Sequence, residues 1–356
     1  MKPSDGRHWR SRLRLSVAGL MMLVLIIGVL LGRMVDSARV QREAVAAIRA
    51  AGGRVLYEWE VKNGQWKPTG KPWWPNWVMD RVGVDFLGSV IHANPGPGAT
   101  DADLAPLVRL NRLEELDIWY PLTTDAGLAE ISKLPRLRVL NSAKNGKITD
   151  AGLAHLAKMT SLETLCLDST SITDAGLVHL KGLTHLRDLG LSGTSITDAG
   201  LAHLAKLPQL QHLDLMDTKV TDVGVVHLRG MASLQVLHLS STKSTGAGLE
   251  HLAGLTKLYL AGTPTRDAGL AHLAGLTRLK ILVLNGAPIT DAGLAHLAGL
   301  TNLEELSLQG AEITDAGLRP LAGLTRLKLL DLTNTKVTDD GMDAIQQAVP
   351  GVRFFP

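Results

Sequence analysis

Residues 290–301 read TDAGLAHLAGLT, and 24 residues earlier, at 266–277, the chain reads RDAGLAHLAGLT. That near-identity decides the fold, because a block repeated at a fixed step is one structural unit laid beside copies of itself. Outward from this pair, T-D-A-G-L or a recognisable variant places its second residue at Asp101, Asp125, Asp150, Asp174, Asp198, Asp222, Gly246, Asp267, Asp291, Asp315 and Asp339. The step departs from 24 in two places only. It gains one residue through AKNGK (143–147) and loses three between Gly246 and Asp267.

Between the blocks runs L-x-x-L-x-L, intact at Leu162/Leu165/Leu167, Leu210/Leu213/Leu215 and Leu303/Leu306/Leu308. In a short strand the two leucines of L-x-L point one way and the residue between them points to the opposite face. A period of roughly 20–29 residues carrying this pattern is that of a leucine-rich repeat. The expected fold is therefore an α/β solenoid, a horseshoe with a parallel concave sheet and short convex helices, in about ten to eleven repeats over residues 89–356. The first unit, Ser89 to Leu104, is degenerate, with NPGPG where its bend belongs.

Three residues after the last leucine stand Thr170, Thr194, Thr218, Thr242, Thr263 and Thr335, interrupted by Ala287 and Ala311. Buried hydroxyls there read as a threonine ladder that satisfies backbone groups at the bend. The aspartate after the bend, Asp150 for example, sits where a helix N-cap is expected, its carboxylate accepting from first-turn amides. On the ensuing helix Leu153, Leu156 and Ala157 share one face, and His155 lies about 200° from Leu153. His155, His179, His203, His227, His251, His272 and His296 thus line the convex surface. Neighbouring helices sit roughly 10 Å apart, whereas zinc needs ligands at about 2.0–2.1 Å. The row therefore reads as repetition of one block, with no metal.

The concave face is where the repeats differ. The middle residue of L-x-L is in turn Asp117, Asn141, Cys166, Gly190, Asp214, His238, Tyr259, Val283, Ser307 and Asp331. Asp117, Asp214, His238 and Tyr259, with Trp119, Asp168, Asp188 and His212 close by, are the candidate binding residues. No Ser/His/Asp, paired-carboxylate or phosphate-loop constellation stands outside the repeat consensus, so no catalytic residue and no cofactor is assigned. The net charge is +3, and Lys2, Arg7, Arg10, Arg12 and Arg14 contribute much of it, which leaves no nucleic-acid footprint. Cys166 is the single cysteine, so no intrachain disulfide exists.

Residues 1–14 form a basic segment, and from Leu15 to Leu31 the chain carries no charge. Residues 15–32 are read as a transmembrane anchor, at the short edge of what spans a bilayer. The sequence GRMVDSARVQRE after it offers no clean small-x-small cleavage site. Five basic residues before the span, against Arg33, Arg39 and Arg42 after it, favour a cytoplasmic N-terminus and an extracytoplasmic repeat domain. Residues 33–88 read as a membrane-proximal region and N-terminal cap. Within it, EAVAAIRAAGG (43–53) suggests a short helix stopped by glycine, and Val55, Tyr57, Trp59 and Val61 suggest a strand entering a hairpin at Asn63-Gly64. Trp66, Trp73, Trp74 and Trp77 fit either a ligand platform or a cap over the first repeat.

The run GLTNLEELSLQGAEITDAGL (299–318), the anchor and REAVAAIRAAGGRV (42–55) resemble bacterial membrane-anchored leucine-rich repeat proteins across about residues 10–350. The resemblance implies a horseshoe used for protein recognition and no activity. The T-D-x-G-L repeats are also similar to those of ribonuclease inhibitor and of F-box adaptors, although no F-box-like segment precedes them. The expected function is recognition of a protein or peptide by the concave sheet. The alternatives are a structural envelope element without a specific ligand and an adaptor of the F-box kind. In the short repeat, keeping Leu255, Leu258 and Leu260 in register with Leu279, Leu282 and Leu284 predicts a continuous sheet with Tyr259 on the concave face. The missing residues are then expected in the helix-to-strand link, with the helix ending near Ala253 and no counterpart of Leu276.

Overall fold

The computed structural model describes residues 17–62, 65–66, 74–119 and 122–355. The basic segment, Leu15, Asn63-Gly64, Trp73 and the Tyr120-Pro121 pair lie outside the described residues.

The expected short helix and the apolar stretch are one element. Helix α1 runs without a break from Val17 to Ala50. No proline or glycine pair interrupts residues 33–43, and alanine-, valine- and arginine-rich sequence carries the helix through. This corrects the separate short helix expected at 43–53, which is the last part of a longer one. The stop itself is as expected: Gly52 takes a left-handed φ of 79°, and the Gly53 amide bonds the Ile48 carbonyl at 2.8 Å. α1 changes character along its length. Val17, Leu20 to Ile27 and Val29 to Leu31 are exposed, while Ala38, Ala44, Val45 and Ile48 are buried in the core of the repeat domain. Its most apolar 18-residue window has a mean hydropathy of 2.4 and no burial, which makes it long and apolar enough to cross a membrane by length and composition.

Gln41 fastens α1 to residues 85–90. Its amide donates to the carbonyls of Asp85 (3.2 Å) and Gly88 (2.7 Å), and its side-chain oxygen accepts from the Val90 amide at 3.2 Å. Strand β1, Arg54–Tyr57, ends sooner than the alternation suggests, because Glu58–Glu60 form a 3₁₀ turn. The hairpin survives in reduced form as β2 (Val61–Lys62) and β3 (Gln65–Trp66), paired antiparallel. Helices α2 (Asn76–Val82) and α3 (Val84–Leu87) come next. Strand β4, Val90–Asn94, pairs antiparallel with β1, so β1 closes the edge of the large sheet. The first repeat is covered by β1, Tyr57, Trp59 and the second half of α1. Of the expected tryptophan cap, Trp77 is 68% exposed and does not serve as one.

From β4 onward every strand is parallel to the next. The strands are β5 (Glu115–Asp117), β6 (Val139–Asn141), β7 (Thr164–Cys166), β8 (Asp188–Gly190), β9 (His212–Asp214), β10 (Val236–His238), β11 (Lys257–Tyr259), β12 (Ile281–Val283), β13 (Glu305–Ser307), β14 (Leu329–Asp331) and β15 (Arg353–Phe354). Register is kept leucine on leucine, as in Leu213↔Leu237↔Leu258↔Leu282. These leucines are at most 1% exposed, and their strand neighbours on either side are more open. The architecture is the expected leucine-rich repeat solenoid.

At the bend the threonine hydroxyls satisfy backbone groups as expected, and backbone bonds between repeats run on beside them. The amides of Ser169, Gly193, Asp217, Ser241 and Gly262 donate to the next repeat at 2.7–3.0 Å, so the backbone ladder extends past the strands. Each of these residues has a φ between 54° and 66°. The next threonine turns inward on its own repeat: Thr170, Thr194, Thr218, Thr242, Thr263 and Thr335 donate to the carbonyl three residues back at 2.5–2.7 Å. The hydroxyls are thus satisfied one by one, without a side-chain ladder. Where alanine stands, the Ala287 and Ala311 amides alone bond Leu284 and Leu308, both at 3.0 Å.

The repeated aspartate is the first helical residue, and the threonine before it is the cap. Thr149 accepts from the Ala151 amide, as do Thr124, Thr173, Thr197 and Thr221 from their equivalents. Each aspartate reaches sideways. Asp125 accepts from the Thr149 amide (2.8 Å) and hydroxyl (2.6 Å), and the same two bonds join Asp150 to Thr173, Asp174 to Thr197 and Asp198 to Thr221. The glycine of the motif leaves room for this clamp, since a Cβ on Gly200 would lie 2.4 Å from Asp174 Oδ1. The T-D-x-G spacing therefore records contact between repeats as much as helix capping.

The short repeat keeps its strand and loses its helix. β11 pairs with β10 and β12 without a gap, as expected. The missing residues are not in the helix-to-strand link. The Leu252 and Leu255 amides bond Leu249 and Leu252 just as those of Leu276 and Leu279 bond Leu273 and Leu276. Leu252 thus fills the place of Leu276, and the residues absent are the D-A-G that would open the helix. Gly246 and Gly248 adopt φ of 102° and 87°, and a three-residue 3₁₀ turn, Leu249–His251, is all that remains. The straightforward alignment of GAGL with DAGL places the deletion six residues too late.

Candidate functional site

Six of the eight candidate residues come together. Asp168, Asp188, His212, Asp214, His238 and Tyr259 line one open depression of about 420 Å³ across β7 to β11. The sheet's parallel register brings them side by side, because residues 24 apart in sequence become neighbours across a strand pair roughly 4.8 Å wide. Gly190 forms part of the floor. A Cβ there would meet Asp168 Oδ1 at 2.7 Å and Cys166 Sγ at 3.1 Å.

The carboxylates are held by backbone and by their neighbours. Asp168 Oδ1 accepts from the Ser192 amide at 2.8 Å, and its Oδ2 accepts from the Cys166 thiol at 3.1 Å. Asp214 Oδ1 accepts from the Met216 amide at 2.9 Å. Histidines pair across strands: His212 Nδ1 contacts Asp188 Oδ1, and His238 Nδ1 lies 3.4 Å from Asp214 Oδ2. The His238 ring packs on Tyr259 with centroids 4.8 Å apart, and its Nε2 is 3.0 Å from the Ser240 hydroxyl. Burial pushes the Cys166 thiol up to about 12, helped by the adjacent Asp168, and burial also raises the Tyr259 phenol. A protonated thiol is a poor nucleophile and metal ligand. The patch offers hydrogen-bond acceptors, one aromatic ring and a bare glycine floor, with Lys257 as its ammonium.

Asp117 and Trp119 stand apart from this depression, on and beside β5, with β6 between. There His92 bridges two carboxylates, 3.2 Å from Glu115 Oε2 and 3.6 Å from Asp117 Oδ2. Burial raises Asp117 despite His92 and a hydrogen bond from Trp119, while the His92 hydrogen bond lowers Glu115. Trp119 is 45% exposed. Thr164, Val236 and Lys257 belong to the depression but not to the sequence-derived set. They occupy the first strand position, two before the varied residue, and period-two alternation was the signal that could have found them.

The seven repeat histidines lie on the convex side as expected. His155, His227, His251 and His296 are exposed and the other three half-buried. Among the described residues no group of three or more His, Cys, Asp or Glu is placed to hold a metal ion.

The fold and its repeat pattern are those of a leucine-rich repeat solenoid. Family models described as leucine-rich repeats match residues 160–220, 299–322 and 324–345. Among solved structures, an internalin (InlF) from Listeria monocytogenes is similar at a TM-score of 0.51 and 19% identity, covering 78% of this chain and 92% of that one. A leucine-rich repeat protein of Leptospira interrogans reaches a TM-score of 0.48 and 16% identity, over 71% of this chain and 74% of that one. No curated protein matches the chain. None of the matches indicates a catalytic family.

Proposed function

We propose that this chain is a membrane-anchored scaffold that recognises a protein or peptide partner on its concave sheet. The observation that carries the reading is the convergence of the varied concave residues, Asp168 to Tyr259, in one depression, while the convex clamp is repeated almost unchanged. In this reading the exposed apolar half of α1 spans the bilayer, the N-terminus is cytoplasmic and the solenoid lies outside the cytoplasm. A partner lying across β7 to β11 would meet three carboxylates against one ammonium, which favours a segment carrying basic side chains.

The test places a photo-crosslinking residue at Val236, at Tyr259 or, as the convex control, at Ala175, in full-length protein in its native membrane. A discrete adduct from the concave positions alone is the expected result. Equal labelling from Ala175, or none from any position, would overturn the recognition reading in favour of a purely structural array. For topology, a reporter fused after residue 356 should be active outside the cytoplasm.

A further inference from the structure

Where the apolar half of α1 ends, the helix, the turn at Glu58, the stretch Asp85 to Ser89 and the Asn111-Arg112 pair line an open pocket of about 490 Å³. It lies outside the concave face. From Val17 to Gly32 the helix has no charged residue, and Arg33 is the first. Leu30 and Met34, 53% and 51% exposed, form the pocket's edge beside the apolar stretch.

The lining is divided by charge. Arg33 and Arg112 present guanidinium groups, Glu58 and Asp85 carboxylates. Asp85 is anchored by the Tyr57 hydroxyl, which donates to its Oδ1 at 2.7 Å, and its Oδ2 stands 3.8 Å from Arg42 Nε. Glu58 Oε2 stands 3.9 Å from Arg112 Nη1. Both ion pairs are longer than a hydrogen bond, so donors on Arg112 and acceptors on Glu58 stay open to a third group. Guanidinium planes match phosphate oxygens in pairs. A primary ammonium has three N–H donors for carboxylates.

We propose that this pocket binds a phospholipid headgroup carrying a primary ammonium beside its phosphate. The phosphate meets Arg33 and Arg112, the ammonium meets Glu58 and Asp85, and the acyl chains descend along Leu30 and Met34. A headgroup with phosphate alone would take Arg112 from Glu58 and leave that carboxylate without a cation. A quaternary ammonium has no N–H to donate. The site rests on the reading of α1 as a membrane span, and one bound lipid would tie the span, the cap and the first repeats together.

The experiment uses the full chain in nanodiscs holding equal shares of phosphatidylethanolamine, phosphatidylglycerol and phosphatidylcholine, with retained lipid identified by native mass spectrometry. Phosphatidylethanolamine should be retained up to about fivefold over phosphatidylcholine, the scale of one partly exposed ion pair. Arg33→Ala with Arg112→Ala should abolish the enrichment. Glu58→Gln, nearly isosteric, should retain lipid but lose the preference over phosphatidylcholine, with unchanged thermal unfolding. Equal retention of all three lipids, or a preference for phosphatidylglycerol, overturns the headgroup site and leaves the anchor standing. A chain that a salt wash releases from membranes overturns the anchor itself, and with it this site.

Discussion

The convex bend and the concave strip are made from the same repeated block, yet they hold different things constant. At the bend, Asp174 and Asp198 perform one task in one geometry, each clamping the threonine of the next repeat through two bonds of 2.6–2.8 Å. On the strip, Cys166, Gly190, Asp214, His238 and Tyr259 occupy one register position and share no chemistry. A position that must touch the next copy of itself is restrained by that copy. A position facing outward has only a partner to answer to. The difference separates residues that make a solenoid from residues that make this solenoid particular.

The comparison breaks most visibly at Cys166. With its thiol pushed up to about 12 by burial, alkylation at pH 8 should run slower than for a free thiol by on the order of a hundredfold or more, since only the thiolate reacts. The sign is fixed: an acid raised by burial stays protonated across the whole window from its ordinary value of 9.0 to about 12. Labelling at the free-thiol rate would mean that the concave floor is open to solvent. Leu213 joins both faces from inside, at 1% exposure. Leu213→Ala should cost about 2–5 kcal/mol in denaturant unfolding, and a loss below 1 kcal/mol, roughly that of a surface change, would deny it the core.

The convex face carries its own internal control. Asp174→Ala removes both acceptors of Thr197 and should cost about 1–3 kcal/mol. Arg266 stands at the threonine position after the repeat whose aspartate is Gly246, and no clamp reaches it. Arg266→Ala, like the exposed His227→Ala, should change stability by about 0.5 kcal/mol or less. Equal losses at Asp174 and Arg266 would show that the clamp contributes nothing beyond ordinary capping.

The period and L-x-x-L-x-L made the sheet, its register and the place of Tyr259 legible in the sequence, because one leucine triplet per 24 residues leaves a single way to stack. The role of Asp150 was misread by one position. Local capping rules weigh only the residue's own helix, whereas its carboxylate is used by Thr173, 23 residues on. The continuity of α1 past residue 33 was invisible for a similar reason, since a change from apolar to charged sequence does not by itself end a helix. The depression was half legible: variability singled out the third strand position, and the first, at Thr164, Val236 and Lys257, needed the strand's two-residue alternation. The pocket at Arg33 was not legible at all, because Arg33, Glu58, Asp85 and Arg112 meet only once α1 packs on the cap.

A stack of this kind behaves like an arch, and each tile bends it because its outer edge, a helix roughly 10 Å across, is wider than its inner edge, a strand spacing of roughly 4.8 Å. The tile at Gly246 has had its outer edge shaved to a 3₁₀ turn. Such a stone adds length to the arch with less turn, so the vault relaxes locally where Lys257 and Tyr259 stand, at one end of the depression. An object laid along that strip would find its flattest seat there, and it would owe that seat to three residues missing from the opposite side of the wall.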